Sequence, residues 1–199
     1  MAYPANAMFK HQEKSSRLWA LLTIFGIKSI ALIPHIIVLY VLMLVGAFVM
    51  LIGIFAVLFT GKYPQSFENY MVGLYRWMWR IQSYMLCMTE KYPPFKMKPV
   101  AEYPADLTFE HQEKSSRLWA LLTLLGIKSI ILIPQFLVMF GMAILAGFAG
   151  LIGIFAVLFT GKYPDSFGRL MVTMTRYQFR INAYYLCMTD KYPPIHWRE

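Results

Sequence analysis

Long apolar stretches alternate with short polar ones along this chain, and the order is nearly the same in its two halves. Ser29–Thr60 and Ser129–Thr160 each run without an Asp, Glu, Lys or Arg residue. Both stretches are far longer than the ~18 apolar residues that indicate a membrane span. The pattern therefore predicts an all-α integral membrane protein.

The two halves are copies of one unit. Residues 11–94 return as residues 111–194 without insertion or deletion, and about 53 of the 84 aligned positions are identical, so the chain is a tandem duplication. We expect a first membrane repeat over residues 1–95, a polar, proline-bearing linker over 96–110 and a second membrane repeat over 111–199. The linker is too polar to cross a membrane, so both repeat junctions lie on one side.

The first half of each repeat predicts a transmembrane helical hairpin. Leu18–Thr60 as one helix would be about 64 Å long, twice the ~30 Å hydrocarbon core. Pro34 and His35 interrupt this run, so Leu18–Ile33 enters the membrane and Ile36–Thr60 returns. Gly61, Lys62, Tyr63 and Pro64 then end the second helix, since glycine and proline after an apolar run form a stop signal.

The second half of each repeat predicts an amphipathic helix over about Ser66–Met88. Its polar positions recur at spacings of three and four residues, which places them in one narrow stripe. The stripe contains Asn69, Gly73, Arg76, Arg80, Ser83 and Cys87. Two arginines at mid-helix would cost roughly 2.5–3.5 kcal/mol each at the bilayer centre. We therefore favour an interfacial helix over a spanning one.

Shared charges constrain the topology. The copies carry basic residues at equivalent positions, and the positive-inside rule resists placing identical charge patterns on opposite sides of a membrane. An even number of crossings per repeat is favoured for that reason. One even alternative uses Ile36–Thr60 and Phe67–Thr89 as the two spans. An alternative with an odd number of crossings has only Ile36–Thr60 as a span, between two interfacial helices.

Composition supports the membrane prediction. The chain is 58% hydrophobic and 15% charged, with a net charge of +9, whereas globular proteins average about 25% charged residues. The basic excess is typical of an inner-membrane protein with several spans and favours anionic lipid headgroups as partners. The basic residues border apolar segments instead of forming a polar face, which argues against nucleic-acid binding. Two cysteines exclude a disulfide framework.

Three groups of residues are candidates for function. Arginines of the stripe and the lysines after each long helix could contact lipid headgroups: Arg76, Arg80, Arg176, Arg180, Lys62 and Lys162. Lys28 and Lys128 are ionisable groups inside apolar sequence and are either snorkelling anchors or functional sites. Small residues of the second copy permit close helix packing in lipid, and among them are Gly147, Gly150 and Gly153.

Enzymatic chemistry has little support in the sequence. His11 with Glu13, and His111 with Glu113, form repeated H-x-E pairs, but a metal site needs three or four convergent ligands. No nucleophile elbow, phosphate loop or dinucleotide-binding glycine pattern is present. We expect no catalytic residues, no metal and no cofactor.

Two motifs resemble a known family. LFTGKYP is followed by a helix with R-x-x-x-R and then by CMT(E/D)KYPP, in both copies. Over Arg17–Phe95 and Arg117–Ile195 the chain resembles a bacterial integral-membrane family, the domain of unknown function 4389, in two tandem copies. The second copy departs by having Ile195 where the first has Phe95. The resemblance implies a small bacterial membrane module with no established activity.

The sequence favours a non-enzymatic bacterial inner-membrane protein that organises lipid or serves as an accessory subunit of a larger membrane complex. A membrane-protein partner or a homo-oligomer is expected, because residues 41–50 and 141–150 diverge and the second of these segments is rich in small residues. The alternative is a small anion or solute transporter or channel in which Lys28 and Lys128 line the path.

Overall fold

The computed structural model describes residues 3–12 and 14–195, so Glu13 and the chain ends beyond Tyr3 and Ile195 lie outside the described residues. Within this part the protein is mostly helical, and each element of the first copy has a counterpart 100 residues later. The elements of the first copy are β1 (Ala5–Phe9), α1 (Arg17–Ile24), α2 (Ile27–Ala31), α3 (Ile33–Thr60) and α4 (Gln65–Met85). Those of the second copy are β2 (Ala105–Phe109), α5 (Arg117–Leu124), α6 (Ile127–Ile131), α7 (Ile133–Thr160) and α8 (Asp165–Tyr185).

The expected transmembrane hairpin is not what the chain forms. Residues 18–33 lie mainly in two short helices, α1 of 8 residues and α2 of 5 residues, which are roughly 12 Å and 8 Å long. Gly26 separates them in a left-handed conformation with φ of 74°, which glycine adopts without steric cost. Neither helix can cross a bilayer, so the entering arm of the hairpin is absent from this fold.

Pro34 begins a helix instead of making a turn. It lies in the first turn of α3, where its missing N–H is not needed for an intrahelical hydrogen bond. The helix continues for 28 residues and ends at Gly61, which has φ of 72°. Among the described residues, α3 and α7 are the two helices long and apolar enough to cross a membrane.

Helix α4 returns antiparallel to α3. Trp77 Nε1 donates to His35 Nδ1 at 3.0 Å, and the Tyr70 hydroxyl donates to the Leu42 carbonyl at 2.7 Å. Further along, a Cβ at Gly53 would lie 2.7 Å from the Tyr63 ring. These contacts run in opposite order along the two helices, so the start of α3 lies beside the middle of α4.

The opposite face of α4 packs on the strands. Arg76 donates to the Asp106 carboxylate and to the Leu107 carbonyl, and Arg80 Nε donates to the Ala105 carbonyl at 3.4 Å. Helix α4 thus lies between α3 and β2, and most of its residues are buried. Its polar stripe, which the interfacial prediction turned towards lipid headgroups, faces another layer of protein.

The two copies are interlocked. Helix α1 packs against α7, and α5 packs against α3. Ser15 N–H donates to the Gly161 carbonyl at 2.9 Å, and Ser115 N–H donates to the Gly61 carbonyl at 2.9 Å. Each short helix therefore covers the end of the long helix of the other copy, and neither repeat buries its surfaces alone.

Strands β1 and β2 join the copies. They pair antiparallel with Ala7 opposite Leu107 at the centre, and β1 packs on α8 while β2 packs on α4. Residues 96–110, expected to be a polar linker, contain β2. The repeat also extends upstream of residue 11, because Tyr3-Pro4-Ala5 returns as Tyr103-Pro104-Ala105.

Candidate functional site

The outer face of α3 is apolar and exposed along its whole length. Ile37, Phe48 and Phe59 are 60%, 68% and 72% exposed, and their spacing of eleven residues places them on one face of the helix. His35 and Val57, on the opposite face, are both fully buried. One side of α3 therefore packs on protein, and the other side has no protein partner among the described residues.

The same character extends over the neighbouring helices, and we call the six helices α1, α2, α3, α5, α6 and α7 the apolar layer. Large exposed side chains of the apolar layer outside α3 include Leu18, Phe25, Ile30, Phe140, Phe148 and Phe159. Soluble monomers rarely expose a continuous apolar patch larger than a few hundred Å². The candidate functional site of this protein is therefore a surface and not a pocket.

Basic residues lie at the ends of this layer. Lys62 and Lys162 follow the glycines that end α3 and α7, and both lysines are exposed. Arg17 and Arg117, also exposed, begin α1 and α5, and each guanidinium group lies beside the terminal glycine of the other copy's long helix. A lysine and an arginine from different copies thus share each end of the layer.

Arg76 and Arg80, candidates for headgroup contact, are bound to protein. Arg80 is fully buried and donates to the carbonyls of Lys96 at 2.9 Å and Lys98 at 3.2 Å, in addition to that of Ala105. Arg76 is 7% exposed and also donates to the Met97 carbonyl at 2.8 Å. These guanidinium groups join α4 to the layer behind it and do not point towards the apolar layer.

Arg176 and Arg180 hold the equivalent place in the second copy. Arg176 donates to the Ala7 carbonyl at 3.2 Å, and Arg180 Nε donates to the Ala5 carbonyl at 3.3 Å. The Arg180 guanidinium also lies 5.2 Å from the centre of the Tyr3 ring. Both arginines are half-buried and tie α8 to β1.

Lys28 is fully buried instead of snorkelling outward. Its Nζ donates to the Tyr84 carbonyl at 3.0 Å and to Cys87 Sγ at 3.3 Å, and it lies 4.5 Å from the centre of the Tyr84 ring. Burial lowers the pKa of Lys28, and the nearby Cys87 opposes that shift. The amine therefore fixes α2 to the end of α4.

Lys128 repeats this arrangement with the Tyr184 carbonyl and with Cys187 Sγ, the latter at 3.4 Å. Both cysteines lie two residues after the end of their helices in a left-handed conformation, with φ of 58° and 59°, where non-glycine residues are uncommon. The sequence identified both lysines as candidates. It did not indicate that each lysine donates to the cysteine that lies 59 residues later in the chain.

The three candidate packing glycines differ from one another. A Cβ at Gly153 would lie 2.5 Å from the Tyr163 ring, and one at Gly150 would lie 2.9 Å from Leu86. A Cβ at Gly147 would meet nothing within 4 Å. Gly150 and Gly153 therefore permit close packing inside this chain, whereas Gly147 lies on the open face.

The repeated histidines pair with acids of the opposite copy. His111 Nδ1 lies 2.8 Å from Glu68 Oε2, and His11 Nε2 lies 2.6 Å from Asp165 Oδ1. Burial raises the pKa of Glu68, and His111 counteracts part of that shift. Within residues 3–12 and 14–195 no cluster of three or more His, Cys, Asp or Glu side chains could hold a metal ion. The histidines serve as contacts between the copies.

An open groove of about 660 Å³ lies between β1 and α8, lined by Asn6, His11, Asp165, Arg169, Thr173 and Arg176 among others. The matching place beside α4 contains Met97, whose Cβ would lie 2.8 Å from a Cβ at Gly73. Thr173 replaces that glycine in the second copy. Met97 and Gly73 therefore pack in a way that residue 173 does not permit.

These observations define a class of protein: a duplicated, mostly helical chain with interlocked copies, a middle pair of amphipathic helices and an exposed apolar layer. The chain belongs to the family described as Domain of unknown function (DUF4389), since a model of that family matches residues 23–96 and 124–196, most of both copies. No curated protein and no solved structure matches the chain at a significant level.

Proposed function

We propose that this chain is a non-enzymatic bacterial inner-membrane protein that binds lipid through its apolar layer and organises the lipid around it. The observation that supports this role is the continuous exposure of large apolar side chains on α3 and α7. Covering one such side chain with an apolar environment is worth about 1.5–3 kcal/mol. Hydrocarbon covers the whole layer without requiring any specific contact.

The ends of the layer supply the headgroup contacts of the proposal. Lys62 and Lys162 are exposed at the ends of the two long helices, and each lysine near an anionic surface contributes about 1 kcal/mol to binding. Arg17 and Arg117 add a second basic group at each end. In this proposal these four residues contact the headgroups. Arg76 and Arg80, which the sequence suggested for that role, bind carbonyl and carboxylate groups of the protein instead.

Replacing both exposed lysines tests the lipid preference. In a flotation assay with vesicles containing anionic lipid, we expect Lys62→Ala/Lys162→Ala to bind roughly 30-fold more weakly, since two losses of ~1 kcal/mol multiply. Lys98→Ala is the matched control, because Lys98 is exposed on the side of α4 away from α3. This variant should bind the vesicles as tightly as the wild-type protein. The preference should also vanish in high salt. Equal losses for both variants would contradict the proposal.

The alternative of an anion transporter has less support. Lys28 and Lys128 would have to line its path, yet both amines are enclosed by a carbonyl, a cysteine and aromatic rings. An accessory role in a larger complex stays within the proposal, since the groove between β1 and α8 offers a second surface, lined by both polar and apolar side chains. Anion flux through vesicles that is lost in Lys28→Met would favour the transporter.

A further inference from the structure

We infer that the two long helices lie in the plane of the membrane, within one leaflet, and that the strands face water on one side. This inference rests on the proposed lipid binding and specifies its geometry. Both helices are long enough to cross a bilayer. Their arrangement relative to each other is what opposes a crossing.

The first step compares the positions of α4 and α8 along their helix axes. Arg76 donates to the Leu107 carbonyl at 2.6 Å, Leu107 pairs with Ala7, and the Ala7 carbonyl accepts from Arg176 at 3.2 Å. The middles of α4 and α8 therefore lie at one level and next to each other, with the ring centres of Tyr75 and Phe179 5.6 Å apart. This level is the centre of the molecule.

The second step places α3 and α7 on that level. His35, near the start of α3, accepts from Trp77, and Gln135, near the start of α7, accepts from the Tyr177 hydroxyl. Trp77 and Tyr177 directly follow the two central arginines in the sequence. Both long helices thus begin at the centre of the molecule.

The third step is their direction. Helix α4 runs antiparallel to β2, since Arg76 reaches Leu107 while Arg80 reaches Ala105. The same order holds for α8 on β1, where Arg176 reaches Ala7 and Arg180 reaches Ala5. Because β1 and β2 are antiparallel, α4 and α8 are antiparallel as well. Helices α3 and α7 consequently run outward from the centre in opposite directions.

This geometry is incompatible with two crossings. Each long helix has 28 residues and is about 42 Å long, so two helices directed outward from one level approach 80 Å. The hydrocarbon core is only ~30 Å thick. If α3 crossed the membrane, α7 would extend its apolar side chains into water beyond one surface.

An in-plane position removes this conflict. The outer face of α3 points away from α4 and is apolar. The strands lie on the other side of α4, where the exposed residues include Lys10, Glu102, Thr108 and Glu110, so the opposite face of the molecule is mostly polar. A helix about 10 Å in diameter fits within one leaflet of about 15 Å. The local two-fold axis then stands along the membrane normal, and equivalent basic residues of both copies lie on the same side, as the positive-inside rule favours.

Depth measurements along α3 test the inference. Nitroxide labels are placed one at a time on Ile37→Cys, Phe48→Cys and Phe59→Cys in the full chain in vesicles, and their depth is read from collisions with oxygen and with a water-soluble nickel complex. The wild-type chain is the labelling blank, because Cys87 and Cys187 are buried. All three positions are highly exposed, so the substitutions should leave the fold intact.

The in-plane arrangement predicts one common depth at the three positions. A crossing α3 would separate positions 37 and 59 by about 33 Å along the normal, with position 48 deepest. That profile would overturn the inference while leaving lipid binding intact. Water-like collision rates at all three labels would overturn the proposed lipid binding itself. Leu137→Cys, Phe148→Cys and Phe159→Cys should repeat the flat profile in the second copy.

Discussion

Arg80→Met should lower the thermal unfolding midpoint of the purified protein by about 6–12 °C. The substitution leaves the carbonyls of Lys96, Lys98 and Ala105 without their donor, and a buried acceptor without a partner costs about 1–3 kcal/mol. Three such losses reach on the order of 3 kcal/mol, and each kcal/mol shifts the midpoint of a chain of this size by about 2–4 °C. Differential scanning fluorimetry in detergent would measure the shift.

Two further variants make this result specific. Arg169→Met removes an exposed arginine from α8 and should change the midpoint by less than about 2 °C, because exposed substitutions rarely exceed ~0.5 kcal/mol. Arg80→Lys keeps the charge but loses the planar fork, so an intermediate loss is expected. If Arg80→Met unfolds at the wild-type temperature, the guanidinium is not what joins α4 to the strand layer.

Alanine at Gly153 and at Gly147 should have opposite effects on stability. A Cβ at position 153 would meet the ring of Tyr163, which is buried and has little room to move, and overpacking of this kind costs about 1–3 kcal/mol. At position 147 the added methyl group meets no protein atom. Alanine is preferred over glycine inside a helix by up to ~1 kcal/mol, so Gly147→Ala should be neutral or stabilising.

The first copy offers an internal repetition of this experiment. Gly53 faces Tyr63 as Gly153 faces Tyr163, with a Cβ distance of 2.7 Å. Gly53→Ala should therefore lose as much stability as Gly153→Ala, and the double variant should lose the sum, because distant sites are usually additive. A midpoint for Gly153→Ala equal to that of Gly147→Ala would mean that these tyrosines do not pack against the helix backbone.

The long helices could be predicted from the sequence because their signals are local. The sequence predicted an apolar helix over Ile36–Thr60, and the structure has Ile33–Thr60, with its end at the predicted Gly61. Pro34 misled the prediction of the start, since a proline within an apolar run indicates a break as readily as a first helical turn. Gly26, which lies before Pro34 and separates α1 from α2 with φ of 74°, is the stronger break.

The contacts between the copies could not be predicted in this way. Ser15 binds Gly161 and His111 binds Glu68 across the copies, and no local pattern in the sequence indicates which residues of one copy meet the other. The strands were missed because Ala5–Phe9 and Ala105–Phe109 have only five residues each, so the alternation of Ala-Asp-Leu-Thr-Phe is too short to stand out within a segment interpreted as a polar linker. Their one signal was the return of Tyr-Pro-Ala and of a phenylalanine at the same spacing.

The polar stripe of α4 shows why periodicity alone did not assign a function. Spacings of three and four residues correctly indicate which side chains share a face, and Arg76 and Arg80 do lie together. Periodicity does not tell whether that face meets lipid headgroups, water or a further layer of protein. Here the carbonyls of residues 96–98 and β2 cover it, and the lipid surface that we propose lies instead on α3 and α7.

The most direct test of the account is to determine on which side of the membrane the ends of α3 and α7 lie. Lys62→Cys and Lys162→Cys, in sealed membrane vesicles of known orientation, are exposed to a maleimide that cannot cross the membrane. If both long helices lie within one leaflet, positions 62 and 162 are labelled from the same side of the membrane. Lys98→Cys, on the polar face, is labelled from that side as well. Labelling of positions 62 and 162 from opposite sides would show that the helices cross the membrane and would contradict the account.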